Sequence, residues 1–437
     1  MDKLSMVGKS VPRIESVSKV RGSAQYAGDL VLPGMLRAKI LHSNLPHAKI
    51  LNIDTSKAVK VPGVKAIITG KDTLGRSVGP LDFNKKYMDE MMIATDKVRY
   101  IGDPVAAVAA VDEDAVLEAL EKIEVTYEEL PAVFNIDEAR QEGAPLVHEN
   151  CKGNISRPIY FDFGDLEQSW RDSYYIHEDT YKTVANQHVP LEPRGCLANF
   201  ETPDRLTIWT STQVPYLVRY NLAHTLGMNE SQIRVIMPFV GGGFGGKADG
   251  VFSSEFCAAL LSKKTGKPVK LVYTREEEFI AGRRRHPAQI YLKTGITKQG
   301  VITGCLANCA LDGGAYNGYG PATILLCGIF LNVPYRLQAF RYEGFRYYTN
   351  NPVSSAMRGH GAPQVNFAFD QQLDQMAAQI GMDPVEIRLK NALETGEITQ
   401  NGLKIHSSGF KECIKKVAEQ SHWYEKKTSC LLITVSA

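Results

Sequence analysis

Val240-Gly241-Gly242-Gly243-Phe244-Gly245-Gly246-Lys247 follows closely on the apolar run Ile233-Arg234-Val235-Ile236. Five glycines around one phenylalanine leave backbone N–H groups free of side-chain cover, so a polar or anionic ligand can come close. The stretch is not a Walker loop, because the spacing and the Lys-Ser/Thr ending are absent. It is not a dinucleotide fingerprint either, because no helix clearly follows the glycines. On the residues alone, two readings stand: a ligand cradle or a glycine-rich structural turn.

Working outward, Ile233–Ile236 reads as the strand that feeds this loop, and Arg205–Thr210 as another. Residues 254–264 read as a helix stopped by Gly266, and 269–273 as the next strand. Near the C-terminal end, 367–380 has helical periodicity closed by Gly381, and Asp383-Pro384 opens a helix through Leu393. Toward the N-terminus, 63–70 and 105–111 read as buried strands, and Gly102-Asp103-Pro104 as a turn. Asp112 caps a helix whose Ala115, Leu117, Leu120 and Ile123 share a face, and 125–131 returns as a strand. These periods describe an α+β chain: an N-terminal arm over 1–17, a compact unit over 18–137, a polar linker over 138–158, a second α+β unit over 159–395, and the start of a third over 396–437.

Composition narrows the function classes. With 44% hydrophobic and 22% charged residues, the 437-residue chain is an ordinary globular protein. Fifty basic against 48 acidic residues give a formal charge of +2, without the basic footprint of a general nucleic-acid binder. The longest apolar runs, 104–111 and 322–333, fall short of the roughly 20 residues that span a bilayer. The start, MDKLSMVGKSVPRIES, has no apolar core for a signal peptide. Eight cysteines without a Cys-x-x-Cys pair point to reduced, buried thiols and a cytoplasmic setting.

Three further motifs carry polar groups suited to chemistry. Ala356-Met357-Arg358-Gly359-His360-Gly361-Ala362-Pro363-Gln364 offers an arginine fork between glycines, suited to a phosphate or a polar cofactor edge. Asn186-Gln187-His188-Val189-Pro190-Leu191-Glu192-Pro193 offers amides for an oxo or amide group, with a buried His188–Glu192 contact expected. Gly282-Arg283-Arg284-Arg285-His286-Pro287 reads, taken alone, as a solvated basic surface.

Taken in order, these motifs resemble the large subunit of the molybdenum hydroxylases, the xanthine dehydrogenase and aldehyde oxidase family. Ser18–Tyr26 looks like the family's entry motif and Val98–Val105 like its hammerhead strand pair. Thr274-Arg275-Glu276-Glu277, Gly282–Pro287 and Gly381–Asn391 fall where the family has them. The resemblance runs from about residue 10 to about residue 418. It implies an α/β-hammerhead domain followed by the first molybdopterin-binding α+β domain.

The resemblance also implies a molybdenum cofactor of the cytosine dinucleotide form, held through its pterin dithiolene with no protein ligand on the metal. Gly242, Gly243, Phe244 and Gly245 would form the pterin loop, and Arg358 would lie beside the metal through its backbone N–H. The family's glutamine near the oxo group aligns with Asn186, next to Gln187. Ala248 and His360 would line the substrate pocket, where purine-oxidising members carry a carboxylate and a phenylalanine. Gly359 stands where carbon monoxide dehydrogenases have a cysteine, which argues against that branch. The implied reaction hydroxylates a carbon of an N-heterocycle such as a purine, with hydride transfer to molybdenum. The stretch Gly313–Gly320 and the Arg-Gly-His-Gly motif also look like the 4-hydroxybenzoyl-CoA reductase branch. A non-catalytic fragment kept for assembly or binding is the alternative from another class.

This chain has no cysteine pattern for an iron–sulfur cluster, so iron–sulfur and FAD centres are expected on partner subunits. The family's general base is a glutamate in a Gly-x-Gly-Glu context near the end of a much longer subunit. The nearest string here, Thr395-Gly396-Glu397, lies in the wrong region. The catalytic base is therefore unassigned, the C-terminal half of the large subunit is expected as a partner, and the isolated chain is expected to be inactive. The tail from Lys426 to Ala437 resembles nothing in the family and reads like a truncated or frame-shifted end.

Overall fold

A computed structural model describes residues 4–79 and 87–426; the tail beyond Lys426 lies outside the described residues. Its largest element is a mixed seven-stranded sheet. The strand order is Ile233–Ile236, Arg205–Thr210, Gly195–Thr202, Val269–Val272, Leu36–His42, Pro104–Ala110 and Val64–Thr69. The sheet joins strands from both sides of the sequence boundary. Leu36, Arg37 and Ala38 pair in parallel with Val269, Lys270 and Leu271. The N-terminal unit is thus a distinct stretch of the sequence but is hydrogen-bonded into the same sheet as the second unit.

Burial explains the sequence of its central strand. Pro104–Ala110 is buried at every position. Ala107 and Ala109 face a core that includes Phe256, Cys257 and Leu261 of the helix Ser253–Thr265. Ala106, Val108 and Ala110 face Ala115, Val116 and Ala119 of the helix Glu113–Glu121. A strand covered on both faces reads as an unbroken apolar run. Asp112 caps the second helix by accepting the Ala115 N–H at 2.9 Å.

A five-stranded sheet forms the other half, in the order Ile155–Phe163, Ala339–Tyr347, Ile302–Asp312, Ala288–Ile296 and Tyr175–Thr183. The helices Gly320–Leu331 and Ala362–Gln379 pack on it, with Ile324, Cys327, Val365 and Phe369 among its core residues. A small antiparallel sheet, Lys97–Val98, Ala48–Asp54 and Glu124–Glu129, completes the N-terminal unit.

Three sequence expectations change. The helix expected from 367 begins at Ala362, because Pro363 in its first turn is preset for helical φ. The segment expected as a polar linker is packed: Val147 and Asn154 are fully buried, and Val147 joins Val133, Ile136 and Tyr348 in a small core. The arginine run is no solvated surface either. Arg283 is 3% exposed and grips Glu90 through both terminal nitrogens, with Asp249 at 2.7 Å from its Nε. Arg284 pairs with Asp312 at 2.9 Å. These carboxylates lie 28 to 193 residues away in sequence, out of reach of a local reading.

The shared sheet makes a prediction. Leu271 is 1% exposed in the core under the strand junction. Leu271→Ala should cost about 2–5 kcal/mol and lower one cooperative melting transition. Two separate transitions, with only the later one moved, would show that the units fold independently.

Candidate functional site

The glycine loop is held from outside by a buried ion cluster. Lys247, 1% exposed, donates from Nζ to Ser211 Oγ at 2.6 Å, Glu192 Oε2 at 3.0 Å and the Glu192 carbonyl at 2.9 Å. The same Glu192 Oε2 accepts the Gly241 N–H at 2.7 Å and the Ser211 hydroxyl at 2.6 Å. Burial pulls the Lys247 ammonium below its usual value, and the Glu192 carboxylate opposes that shift. A lone buried charge is costly, so the two groups hold each other in place and anchor both ends of the loop.

Gln213 supports the loop from beneath. Its Oε1 accepts the Gly245 N–H at 2.9 Å, and a Cβ on Gly243 would lie 2.5 Å from that oxygen. Phe244 has φ +54° and is 46% exposed, so the loop turns its one side chain outward. The N–H groups of Gly242, Gly243 and Phe244 have no partner among the described residues. A cavity of about 810 Å³ opens beside Gln213, Phe239 and Val240.

The second motif meets the first directly. The Arg358 N–H donates to the Phe244 carbonyl at 2.9 Å, and the Arg358 guanidinium lies 5.7 Å from the Phe244 ring centroid. A Cβ on Gly245 would lie 2.7 Å from the Ala356 carbonyl oxygen, so only glycine permits this approach. Gly359, His360 and Gly361 all have positive φ, at +90°, +37° and +97°. For His360 that conformation is strained and is held by the surrounding turn. Arg285 reaches in from the arginine run and donates to the Arg358 carbonyl at 2.7 Å.

The third motif divides. His188 wedges between the loops, with Nε2 2.8 Å from the Ala356 carbonyl and Nδ1 3.1 Å from that of Arg283. The expected His188–Glu192 contact does not form, because Glu192 is taken by Lys247, Ser211 and Gly241. Gln187 donates from Nε2 to the Phe279 carbonyl at 3.1 Å, and Asn186 contributes its carbonyl to the Arg285 N–H at 2.8 Å. The side-chain amide that touches the glycine loop is that of Gln213, which the sequence reading missed. Ser211-Thr212-Gln213 is a short polar run after the strand Arg205–Thr210, and nothing in it marks Gln213 as the loop's partner. The expected free Arg358 N–H is likewise engaged, by Phe244.

In the pocket region, Ala248 is half-buried beside Asp249, whose carboxylate is taken by Arg283 and by the Ser355 hydroxyl at 2.5 Å. The Asp249 carboxylate is therefore not free to stand in for one at position 248. Tyr319 meets the His360 ring edge-on, with centroids 6.4 Å apart. Burial pushes the His360 ring toward its neutral form, and its Nε2 is buried without a partner. Glu397 pairs with Arg336, away from these loops. Among the described residues, no three His, Cys, Asp or Glu side chains come together as a metal site, and no helix is long and apolar enough to cross a membrane.

The loop cluster predicts a specific asymmetry. Glu192→Ala strands the buried Lys247 ammonium and should destabilise the chain by about 3–5 kcal/mol. Glu192→Gln keeps an acceptor for the Gly241 N–H and should cost less. Denaturant titration of both variants checks the order; equal losses would mean that the cluster does not hold the loop.

Residues 147–392 match the family model described as the molybdopterin cofactor-binding domain. Residues 21–131 match that of the aldehyde oxidase and xanthine dehydrogenase a/b hammerhead domain. The chain is 36% identical over 422 residues to the nicotinate dehydrogenase large molybdopterin subunit of Eubacterium barkeri, covering 95% of this chain and 96% of that one. It is also 36% identical to the xanthine dehydrogenase molybdenum-binding subunit of Escherichia coli O157:H7, covering 96% of this chain but 56% of that relative. Among solved structures, quinoline 2-oxidoreductase from Pseudomonas putida 86 superposes with a TM-score of 0.90 at 28% identity, over 98% of this chain and 56% of that one. The chain therefore spans nearly all of one curated relative and about half of others.

Proposed function

Since the chain belongs to the molybdenum hydroxylase family of xanthine dehydrogenases and aldehyde oxidases, as a molybdopterin-binding subunit, we propose that it forms one wall of the cofactor site in a multi-subunit enzyme that hydroxylates a small N-heterocycle. The observation that carries this reading is the junction of the two loops. Three unpartnered N–H groups at 242–244 sit beside an outward phenylalanine, with the Arg358 turn locked against it. A pterin offers polar edges for such donors, and the 810 Å³ cavity beside Gln213 leaves room for a dinucleotide extension of the cytosine type.

When bound, the cofactor supplies the metal centre that takes up a hydride from the substrate carbon. The chain's own residues position it. Gly242, Gly243 and Gly245 would let the backbone approach the cofactor, and the exposed Phe244 ring would offer it an apolar surface. Gln213 replaces Asn186 and Gln187 as the amide acting at the loop. Arg358 fixes the relative height of the two loops through its N–H. Ala248 leaves the substrate side neutral, and the neutral His360 ring adds a polar edge. That pairing suits a small uncharged or singly charged heteroaromatic ring. The names of the nicotinate, xanthine and quinoline relatives support an N-heterocycle over an aryl thioester.

The rest of the site is proposed to lie on a complementary polypeptide, as the near-complete match to the nicotinate dehydrogenase subunit supports. It would carry the general-base glutamate and the second cofactor-binding portion, while iron–sulfur and FAD subunits would remove electrons. An apolar rim around the loop supports such a cover: Val189, Leu191, Tyr216 and Met237 are 50%, 93%, 59% and 50% exposed. Bare patches of this kind mark interaction surfaces.

Two outcomes follow. The purified chain alone should show no turnover of nicotinate or xanthine, since loss of a general base by itself costs ~10²–10⁴-fold. Molybdenum-dependent dye reduction by the chain alone would overturn the proposal. In the assembled complex, Phe244→Ala should lower molybdenum per folded protein; a changed melting temperature with unchanged molybdenum would reduce the loop to a structural turn.

A further inference from the structure

The seven-stranded sheet carries an electrostatic anomaly outside the glycine loop and the Arg358 turn. Arg37 and Lys270 are direct register partners in the parallel ladder between Leu36–His42 and Val269–Val272. Alternation along the first strand sends Leu36, Ala38 and Ile40 into the core and puts Arg37 and Lys39 on the opposite face. Three cations thus occupy one small patch of sheet, beneath a cavity of about 210 Å³ that all three line together with Glu113.

Lys39 is compensated. Its ammonium donates to Glu277 and to the Val272 carbonyl, each at 3.1 Å, and lies 3.7 Å from Glu113. The other two are not. Lys270 is 4% exposed, and its Nζ donates to one group, the Gly28 carbonyl at 2.7 Å, with no carboxylate in ion-pair range among the described residues. Arg37 is half-buried and has no hydrogen-bond or ion-pair partner among the described residues. Burial and the Arg37 charge push the Lys270 ammonium below its usual value, and the Asp29 charge only partly restores it. Like charges directly opposite in a ladder destabilise a sheet, and a buried cation without a counter-charge costs more. A bound anion removes both penalties at once.

We propose that this cavity is a binding site for a small tetrahedral oxyanion, a phosphate or phosphoryl group, held by Arg37 and Lys270 with Lys39 behind them. The geometry suits the ligand. The arginine fork presents paired donors to oxyanion oxygens, and a lysine with unused donors supplies a point charge from a second strand. The volume admits a phosphate but not a nucleotide, so any larger ligand would insert only its phosphoryl end. The site is independent of the cofactor reading, since none of its residues touches the glycine loop or the Arg358 turn.

The test is calorimetric titration of the full chain with inorganic phosphate and, in a parallel arm, a nucleoside monophosphate, each against chloride at equal ionic strength. Saturable binding is expected, weakened at least tenfold by Arg37→Gln, a half-exposed position where folding should survive. Glu113→Gln removes the negative charge from the cavity lining and should tighten binding several-fold, an effect that a merely structural arginine would not produce. Tighter binding of the monophosphate identifies a phosphoryl ester as the ligand; equal or weaker binding identifies the free ion. No saturable binding in either arm, or binding unchanged by both substitutions, would overturn the proposal.

Discussion

One close approach governs the site: the backbone at Gly245 lies so near the Ala356 carbonyl that no side chain fits between them. Everything that makes the site depends on that contact. It lets the Arg358 N–H reach the Phe244 carbonyl, beside a Phe244 that sits at positive φ with its ring exposed. The preceding N–H groups are left without a partner among the described residues. An alanine at 245 would both clash and be strained at φ +101°, so the loop and the turn would separate together.

A contact between two loops is only as good as what holds the loops. Here the supports are desolvated charges. Lys247 and Glu192 fasten the glycine loop, and Arg283, clamped by Glu90 and Asp249, fastens the irregular segment ahead of the strand Ala288–Ile296 that presents Arg285 to the turn. Arg346, fully buried, gathers the carbonyls of Gly313, Tyr316, Asn317 and Ser354 and donates to His286 Nε2 at 3.1 Å. Breaking a buried pair is expensive even where forming it gains little, so such clusters fix one arrangement of loops against many near alternatives. That rigidity fits a cofactor wall, which must be shaped before the cofactor arrives.

Much of this was legible in the chain. The strands at 205–210 and 233–236, the caps at Asp112 and Gly266, and the family membership all followed from local patterns and ordered motifs. The long strands of the five-stranded sheet were not read: Ala288–Ile296 does alternate over its first six residues, but Ile302–Asp312 is buried at most positions on both faces, and the two owe their register to each other. Nor was the sheet shared between the two units visible, since Leu36 and Val269 are far apart in sequence. At the site, the glycines and Phe244 announce themselves, but the partners of Glu192 do not. A His–Glu pair four residues apart looked natural until Lys247 and Ser211 took the carboxylate. Gln213 escaped for the same reason: nothing local distinguishes it from a polar residue at a strand end.

The central claim is that the N–H groups of Gly242, Gly243 and Phe244 exist to meet a cofactor enclosed by a second polypeptide. Hydrogen–deuterium exchange on peptides spanning 240–247 tests it, comparing the chain alone with the assembled complex, with and without cofactor loaded. The account predicts fast exchange at 242–244 in the chain alone, little change on assembly without cofactor, and strong protection once the cofactor is bound. Exchange at these amides that is already slow in the chain alone, or that is unmoved by cofactor loading, would contradict it.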